Sequence, residues 1–396
     1  MIKTKKLAFL CGFMLLVMYY SKFNSDVILL ETIVETDRIL TKAKKNTNMK
    51  YILQWTKSYA EPFVFMGKGQ NGFVSRRCKF ANCYVTSNRT YLNSLKDFDA
   101  VLFHGPELST AENSVLLRLP TRRSRKQKYV FVSKESSRMY PLRYTVYNSF
   151  FNWTWTYRLD SDIYYGDIVI KNKRGDVIGP KEVMQWFRVE EMEPIKDELK
   201  EKLKNKKIAA AWFVSNCKTM SNRGYVAELL QKALLKYNMT VDIYGRCGNK
   251  YCPRTHMEQC LRMLENDYYF YLAFENTVVN DYVTEKLLHA LQHYTVPIVY
   301  GGANYTRFMP GGSHLNVLNQ TIEVLVKRMV DMINDKEQYY EYFKWRNHYS
   351  YHNGEESPAT DYYCDFCKKL NDFNLMNRTS YIENFKGWWN TKLESN

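Results

Sequence analysis

YYFYLAFENTVVNDYVTEKLLHALQHY, at residues 268–294, carries the clearest structural pattern in this chain. Its first seven residues are rich in aromatic side chains and free of glycine and proline, which predicts a buried strand. From Thr284 onward apolar side chains recur at helical spacing, and Thr284 is a suitable N-cap residue. The stretch therefore predicts a strand, a polar loop and the N-terminus of a helix.

The predicted loop has the chemistry of an anion site. Backbone N–H groups and the dipole of a helix N-terminus favour a negatively charged group, and Lys286 adds a positive charge in the first turn. Glu285 cannot bind a phosphate, because like charges repel, but its carboxylate suits the hydroxyl groups of a ribose or a sugar. Recognition of phosphate and hydroxyl groups by one loop indicates a nucleotide sugar.

The second half of the chain is predicted to form a parallel sheet with helices on its faces, because strands and helices alternate there. The predicted strands are 208–214, 241–244, 268–274 and 297–300, and the predicted helices are about 224–237, 284–293 and 322–334. Polar motifs follow the strands at 215–217, 245–246, 275–276 and 301–302. Ligands of open α/β sheets bind outside the carboxyl ends of the strands, so a site is expected at this edge.

These motifs resemble those of the α1,3-fucosyltransferases, family ten of the glycosyltransferases. The resemblance covers roughly residues 101–367, with several spaced motifs in the same order. The motifs are FNWT at 151–154, YRLDSDI at 157–163, AWFVSNC at 211–217, VDIYG at 241–245, FEN at 274–276, DYVTEK at 281–286 and VPIVYG at 296–301. The resemblance implies an α/β chain of the GT-B type, with two Rossmann-like domains and a cleft between them. It also implies GDP-fucose as donor and inverting transfer of L-fucose to the 3-hydroxyl of N-acetylglucosamine in glycans.

A chain of 396 residues is long enough for two or three domains. The expected segments are a cytoplasmic tail at 1–6, a signal-anchor segment at 7–20, a polar stem at 21–48, an acceptor-side domain at 49–194, a linker helix at 195–207, a GDP-fucose-binding domain at 208–350 and a C-terminal extension at 351–396. The linker is charge-dense, and an i,i+4 pair of Glu198 with Lys202 is expected on it.

The N-terminus predicts a membrane anchor. Residues 7–20 are an uninterrupted apolar run of 14, preceded by Lys3, Lys5 and Lys6. Such a run spans roughly 21 Å as a helix, less than the ~30 Å hydrocarbon core, so a cleaved signal peptide is the alternative. No A-x-A-like cleavage site follows, and the preceding positive charge places the rest of the chain in the lumen. The family resemblance points to a single-pass type II protein of the Golgi membrane.

The net charge of +16 raises the possibility of nucleic-acid binding. A secretory N-terminus argues against it, so no nucleic-acid partner is expected.

Six N-x-S/T sequons support a lumenal chain. Asn152 and Asn304 lie in or beside candidate site loops, so glycosylation is expected at the other four, Asn88, Asn238, Asn319 and Asn377.

Eight of the nine cysteines lie outside the apolar run, an even number that fits structural disulfides in an oxidising compartment. They are Cys78, Cys83, Cys217, Cys247, Cys252, Cys260, Cys364 and Cys367. Eight cysteines allow 105 pairings. In relatives the C-terminal pair either bridges locally or connects to the N-terminal domain, and both arrangements stay open here.

Lys286 and Arg223 are the candidates for diphosphate contact, because Arg can bind a diphosphate bidentately and Lys acts as a point charge. Both lie at predicted helix starts that follow strand ends. By the resemblance, further donor-pocket residues are Asn216, Tyr244, Glu275, Asn276, Tyr282 and Glu285. Phe274 is expected to pack in the core.

Glu135 is the candidate general base, because a base from the first domain would close the cleft around both substrates. It follows the apolar run 129–132, so it lies at a predicted strand end. The resemblance matches it to a glutamate that opens an E-S-P segment. Here the segment is ESS, with the nearest proline at Pro141, so the loop departs from the family pattern. Asp160 and Asp162 are expected to be structural acids bonded to the backbone.

His104, at the end of another predicted strand, is a candidate acceptor contact. No metal site and no cofactor are expected to be required, because cations on the donor side can neutralise the diphosphate. The Asp160-Ser161-Asp162 spacing still permits a divalent metal.

Two other functions stay open, a GT-B transferase with another nucleotide-sugar donor and a lumenal glycan-binding pseudoenzyme. The acceptor class, whether core N-glycan, Lewis-type unit or LacdiNAc, is not fixed by the sequence.

Overall fold

A computed structural model of the protein describes residues 45–56, 66–110 and 119–391. The predicted tail, the apolar run at 7–20 and all but the last residues of the predicted stem lie outside these ranges. Within the described ranges, no helix combines the length and the apolar character that a membrane crossing needs. The anchor therefore stays a prediction from the sequence.

The secondary structure consists of short strands and helices that alternate along much of the chain. The strands, numbered in chain order, are Lys50–Gln54 (β1), Cys83–Thr86 (β2), Ala100–His104 (β3), Lys128–Ser133 (β4), Trp153–Thr156 (β5), Ile163–Tyr164 (β6), Val169–Asn172 (β7), Val177–Gly179 (β8), Ile208–Phe213 (β9), Val241–Tyr244 (β10), Tyr268–Phe274 (β11), Val296–Tyr300 (β12), Leu315–Asn316 (β13) and Tyr349–His352 (β14). The α-helices are Asn71–Ser75 (α1), Gly105–Thr110 (α2), Asp197–Lys204 (α3), Arg223–Leu235 (α4), Met257–Asp267 (α5), Glu285–Gln292 (α6), Ile322–Asn334 (α7), Lys336–Glu341 (α8), Tyr362–Asn371 (α9), Phe373–Asn377 (α10) and Phe385–Trp389 (α11).

Two parallel sheets organise the molecule, which confirms the predicted α/β class. The first has six strands in the order β2-β1-β3-β4-β5-β6, and the second has five in the order β10-β9-β11-β12-β13. Every residue of β4 and of β11 is buried, as expected for central strands covered on both faces. Phe274 is fully buried, so its assignment to the core is confirmed.

A third, antiparallel sheet was not predicted. Its order is β14-β7-β8, and it pairs Tyr349 with Asn172. The predicted linker at 195–207 contains a helix, α3, but its predicted Glu198–Lys202 pair is wrong. Lys202 instead forms an ion pair with Glu265 on α5, which fixes the linker to the second sheet's layer of helices.

The C-terminal extension packs on the first sheet. Tyr362, Phe366 and Leu370 of α9 are buried in one cluster with strand residues of that sheet. On the other face, Phe385 and Trp389 pack edge to face on Phe131 of β4, with ring centroids 5.0 and 4.7 Å apart. The residues after β14 therefore complete the half of the molecule that contains the first sheet.

Four disulfides use all eight cysteines outside the apolar run. They are Cys78–Cys364, Cys83–Cys367, Cys217–Cys247 and Cys252–Cys260. The first connects α9 to the loop before β2 and the second connects it to β2 of the first sheet, so the C-terminal pair does not bridge locally. The third joins the loops that follow β9 and β10.

The sequons differ in exposure. Asn152 is 5% exposed, and its side chain is used internally, since Oδ1 accepts from the Tyr129 N–H and Nδ2 donates to the Ser380 carbonyl. A glycan on Asn152 is therefore incompatible with this fold. The other five sequon asparagines, namely Asn88, Asn238, Asn304, Asn319 and Asn377, are exposed.

Candidate active site

A cavity of about 440 Å³ opens at the carboxyl ends of the second sheet's strands and is walled on one side by the first sheet. Lys134 and Glu135, which follow β4, come from the first sheet. The other lining residues are Asp167, Phe213, Val214, Ser215, Asn216, Arg223, Tyr244, Gly245, Cys252, Met257, Tyr271, Asn276, Tyr282, Thr284, Glu285, Lys286 and His289. Eight of the ten residues predicted for the base, donor and acceptor roles line this cavity, and the other two, Glu275 and His104, do not.

Glu135 and Tyr282 meet across the cavity. The Tyr282 hydroxyl donates a hydrogen bond to Glu135 Oε2 over 3.3 Å. Burial raises the pKa of Tyr282, and the Glu135 charge raises it further, so this phenol stays a proton donor. Glu135 is exposed to the cavity while Tyr282 is 4% exposed. The geometry thus presents one carboxylate to a ligand and fixes its orientation from behind.

Lys286 forms ion pairs with two carboxylates. Its Nζ lies 3.1 Å from Glu285 Oε1 and 3.3 Å from Glu275 Oε2. Burial works against the charge on Lys286, but the two carboxylates outweigh it and raise its pKa. For Glu285, burial is likewise outweighed by Lys286, which lowers the carboxyl pKa. Lys286 is therefore charged at neutral pH.

Glu275 lies beneath the cavity and is not among its lining residues, so its role in the donor pocket stays a prediction. Its side chain is 2% exposed, and Oε1 accepts from the Thr284 N–H at 2.9 Å and from the Thr284 hydroxyl at 3.0 Å. Burial raises the pKa of Glu275, although Lys286 works against this. Thr284 occupies the N-cap position, but its hydroxyl accepts no bond from a backbone N–H of the helix; it accepts one from Lys286 Nζ at 2.6 Å. It also donates to Glu275, and so joins β11 to the start of α6.

Arg223 holds the backbone at two strand ends. It is 4% exposed, with Nη1 donating to the Phe274 carbonyl at 2.7 Å and Nη2 to the Asn216 carbonyl at 3.2 Å. Burial lowers its pKa, yet a guanidinium stays protonated in proteins. No carboxylate in the described chain pairs directly with Arg223. Arg223 therefore adds a positive charge at the cavity without a direct carboxylate partner in the described ranges. Because Nη1 and Nη2 already donate to backbone carbonyls, fewer of its N–H groups are free for a diphosphate than the sequence suggested.

The lining includes two charged residues and one histidine that were not predicted from the sequence. Lys134 forms an ion pair with Asp167 at 2.7 Å. Burial lowers the pKa of Lys134, but Asp167 raises it more. His289 lies one helical turn after Glu285, and burial lowers its pKa to about 4, so it is neutral at pH 7. Lys134 could have been found by its place beside Glu135, and His289 by its spacing on α6, whereas Asp167 has no local signal.

The remaining candidates lie away from the cavity. His104 is 8% exposed, and its Nδ1 is 3.5 Å from Glu107 Oε2. Asp162 Oδ2 accepts from the Thr154 N–H and hydroxyl, which confirms its structural assignment. Asp160 is held mainly by side chains, through Arg158 and the Trp388 indole. Across the described ranges, no three His, Cys, Asp or Glu side chains are grouped as a metal site would require.

A second cavity, of about 520 Å³, continues from the first. The two share Ser215, Gly245 and Cys252. The second is formed mainly by the loop after β10, and it includes Arg246 and the 83% exposed Tyr251. A ligand longer than one sugar ring therefore has a continuous path along the edge of the second sheet.

Comparison with known proteins gives consistent matches along the chain. A family model described as glycosyltransferase family 10 (fucosyltransferase), C-terminal, matches residues 203–388, and one described as fucosyltransferase, N-terminal, matches residues 47–166. Alpha-(1,3)-fucosyltransferase C of Drosophila melanogaster is 35% identical over 318 residues, which is 79% of this chain and 70% of the relative. Glycoprotein 3-alpha-L-fucosyltransferase A of the same organism is 30% identical over 81% of this chain and 57% of its own.

Among solved structures, a crystal structure of an α1,3-fucosyltransferase with GDP-fucose is 15% identical in sequence. The match covers 84% of this chain and 94% of that one, with a TM-score of 0.47.

Proposed function

The chain belongs to glycosyltransferase family 10, the fucosyltransferases, and we propose that it transfers L-fucose from GDP-β-L-fucose to the 3-hydroxyl of N-acetylglucosamine in glycoprotein glycans, with inversion. One observation supports this most directly: Glu135 from the first sheet and Lys286 from the second line the same cavity. An acceptor hydroxyl and a nucleotide sugar can thus meet between a base and a cation.

In this reaction Glu135 is the general base. The acceptor oxygen attacks the anomeric carbon of fucose, its proton passes to Glu135, and the bond from that carbon to the β-phosphate oxygen breaks. The electron pair leaves with GDP. Attack opposite the leaving group inverts the configuration, as in inverting glycosidases. Tyr282 contributes by holding Oε2 of Glu135, which directs the other oxygen to the proton.

The leaving diphosphate gains its stabilisation from the second sheet. The helices α4 and α6 both begin at residues that line the cavity, so their positive dipole ends face it. Arg223 adds a charge that has no direct carboxylate partner among the described residues, and Lys286 adds a second one that is shared with Glu275 and Glu285. Asn216, Tyr244 and Asn276 line the same wall and are assigned to the donor. We assign the nucleoside to the continuing cavity at 245–253. These cations make a divalent metal unnecessary in the proposal.

The proposal includes the cell compartment. The lysines before the apolar run at 7–20 and the five exposed sequons support a single-pass type II protein with its catalytic part in the lumen of the Golgi.

The test is fucose transfer by the full-length chain purified in detergent. GDP-fucose would be offered with a panel of core N-glycans, Lewis-type precursors and LacdiNAc oligosaccharides, with and without EDTA, and product mass would be measured. Product that is insensitive to EDTA, and lost in Glu135→Gln, is expected, and it would name the acceptor. Transfer from UDP- or GDP-linked sugars other than fucose would identify a different donor. GDP binding without any transfer would indicate a glycan-binding pseudoenzyme.

A further inference from the structure

A third cavity, of about 390 Å³, lies between the first sheet and the C-terminal segment, and we call it the C-terminal cavity. It shares no lining residue with the active-site cavity, and the proposed transfer gives it no role. Its lining includes the charged residues Asp160, Asp162 and Arg378 and the aromatic residues Tyr381 and Trp388. Its volume is that of an ordinary small-molecule site.

The C-terminal cavity offers a hydrogen-bond acceptor and hydrogen-bond donors that no described residue uses. Asp162 Oδ2 is used by Thr154, but within the described residues neither Asp162 Oδ1 nor the Arg378 guanidinium has a hydrogen-bond or ion-pair partner. A carboxylate accepts and a guanidinium donates. Sugar hydroxyl groups do both, and their hydrogen bonds to charged groups are the stronger kind.

Two aromatic rings that line the cavity are held by neighbouring charged side chains. The Arg158 guanidinium lies 4.5 Å from the centre of the Trp388 ring, and the Trp388 indole N–H donates to Asp160 Oδ2 at 2.8 Å. The Arg123 guanidinium lies 4.7 Å from the centre of the Tyr381 ring, which is 44% exposed. Fixed rings lose little freedom when a ligand packs on them. An aromatic surface beside charged groups suits a pyranose, which has an apolar face and a hydroxyl rim.

A source of such a sugar lies in the same segment. Asn377-Arg378-Thr379 is a sequon, Asn377 is exposed, and Arg378, Ser380 and Tyr381 line the cavity. A tethered glycan would act at an effective concentration in the millimolar range, so even weak contacts would hold it. We propose that the C-terminal cavity binds a pyranose unit of an N-glycan, and that this unit belongs to the glycan on the chain's own Asn377. The inference rests on the lumenal location in the proposed function.

The test is a double-mutant cycle on the full-length chain from glycosylating cells. Thr379→Ala removes the sequon without touching the cavity lining, and Tyr381→Ala removes one ring. Glycopeptide mass spectrometry is expected to find Asn377 occupied. Tyr381→Ala is expected to lower the melting temperature by about 2 °C more in the glycosylated chain than in the Thr379→Ala background. Tyr237→Ala, at a tyrosine of similar exposure, 47%, is the matched control and should show no such difference.

A second measurement separates the two sources of the sugar. In the Thr379→Ala background, Tyr381→Ala and Arg378→Ala would be compared for KM with a glycoprotein acceptor and with a short free oligosaccharide. The variants could raise the KM for the glycoprotein acceptor but not for the free oligosaccharide, while the double-mutant cycle shows no difference in melting temperature. That result would assign the cavity to the acceptor's glycan and overturn the own-glycan source. An unoccupied Asn377 would overturn it too. Additive melting temperatures together with unchanged KM values would overturn sugar binding altogether. The thermal cycle needs no transfer, so it stands apart from the test of catalysis.

Discussion

Tyr282 is the residue that links the donor side of the cavity to the base, and its hydroxyl can be removed without its ring. Tyr282→Phe keeps the packing on Tyr157, whose ring centroid is 5.0 Å away, but deletes the bond to Glu135. We expect kcat to fall by about tenfold, the worth of one hydrogen bond to a charged group, with a smaller change in the KM for GDP-fucose. Steady-state kinetics would measure this. Equal losses in kcat for Tyr282→Phe and for Tyr157→Phe would contradict a specific role for the bond.

A second prediction at the scale of the residue concerns Lys286 and Glu275. Lys286→Met leaves the 2% exposed Glu275 without its cation, so we expect the free energy of unfolding to drop by roughly 3 kcal/mol and GDP binding to be lost. Adding Glu275→Gln should restore most of the stability, because the glutamine oxygen can still accept from Thr284. It should not restore GDP binding. Urea denaturation would measure the stability and titration calorimetry the binding of GDP. Recovery of GDP binding in the double variant would show that Lys286 serves the fold alone.

At the scale of the element, the two disulfides that connect α9 to β2 and to the loop before it should act non-additively. Each closes a long loop, with separations of 286 and 284 residues, but once one is formed the other closes only a short ring. We expect removal of either pair by serine substitution to cost roughly 2–3 kcal/mol, and removal of both to cost clearly more than the sum. Thermal denaturation of the three variants would test this, and simple additivity would contradict it.

Elements were predictable where the pattern is local. Tyr268–Phe274 is an unbroken apolar run and Ile322–Asn334 has strong helical spacing after a capping Thr321, so both match their predicted limits. The pairing of β14 with β7 joins distant segments and left no local sign. The direction of a side chain also leaves no local sign in the sequence. Glu275 follows a strand end like a ligand residue, but burial of its carboxylate under Thr284 depends on the packing of α6, which no spacing reveals.

For the whole molecule, two half-buried histidines should make stability fall in acid. Burial lowers the pKa of His289 and of His314 to about 4, below the ordinary value near 6.5 of the unfolded chain. At pH values between the folded-state pKa and the unfolded-state pKa, the unfolded state binds more protons than the folded state. The free energy of unfolding therefore decreases as pH falls through this range. From pH 7 to pH 5 we expect each histidine to contribute a loss of roughly 1–2 kcal/mol. The His289→Gln/His314→Gln double variant, followed by urea denaturation at both pH values, should lose less than the parent, and equal losses would contradict the assignment.

The return of the C-terminal segment to the first sheet also sets an order of events during synthesis. The ribosome makes β1 to β6 early, yet Cys78 and Cys83 must wait for Cys364 and Cys367, and Phe131 must wait for Phe385 and Trp389. The half that is translated first is thus among the last to mature, with thiols and an apolar face open to chaperones in the meantime. Loss of the C-terminal segment through a nonsense codon, or a bulky tag attached to it, would therefore destabilise the first sheet, which is built from the early part of the chain.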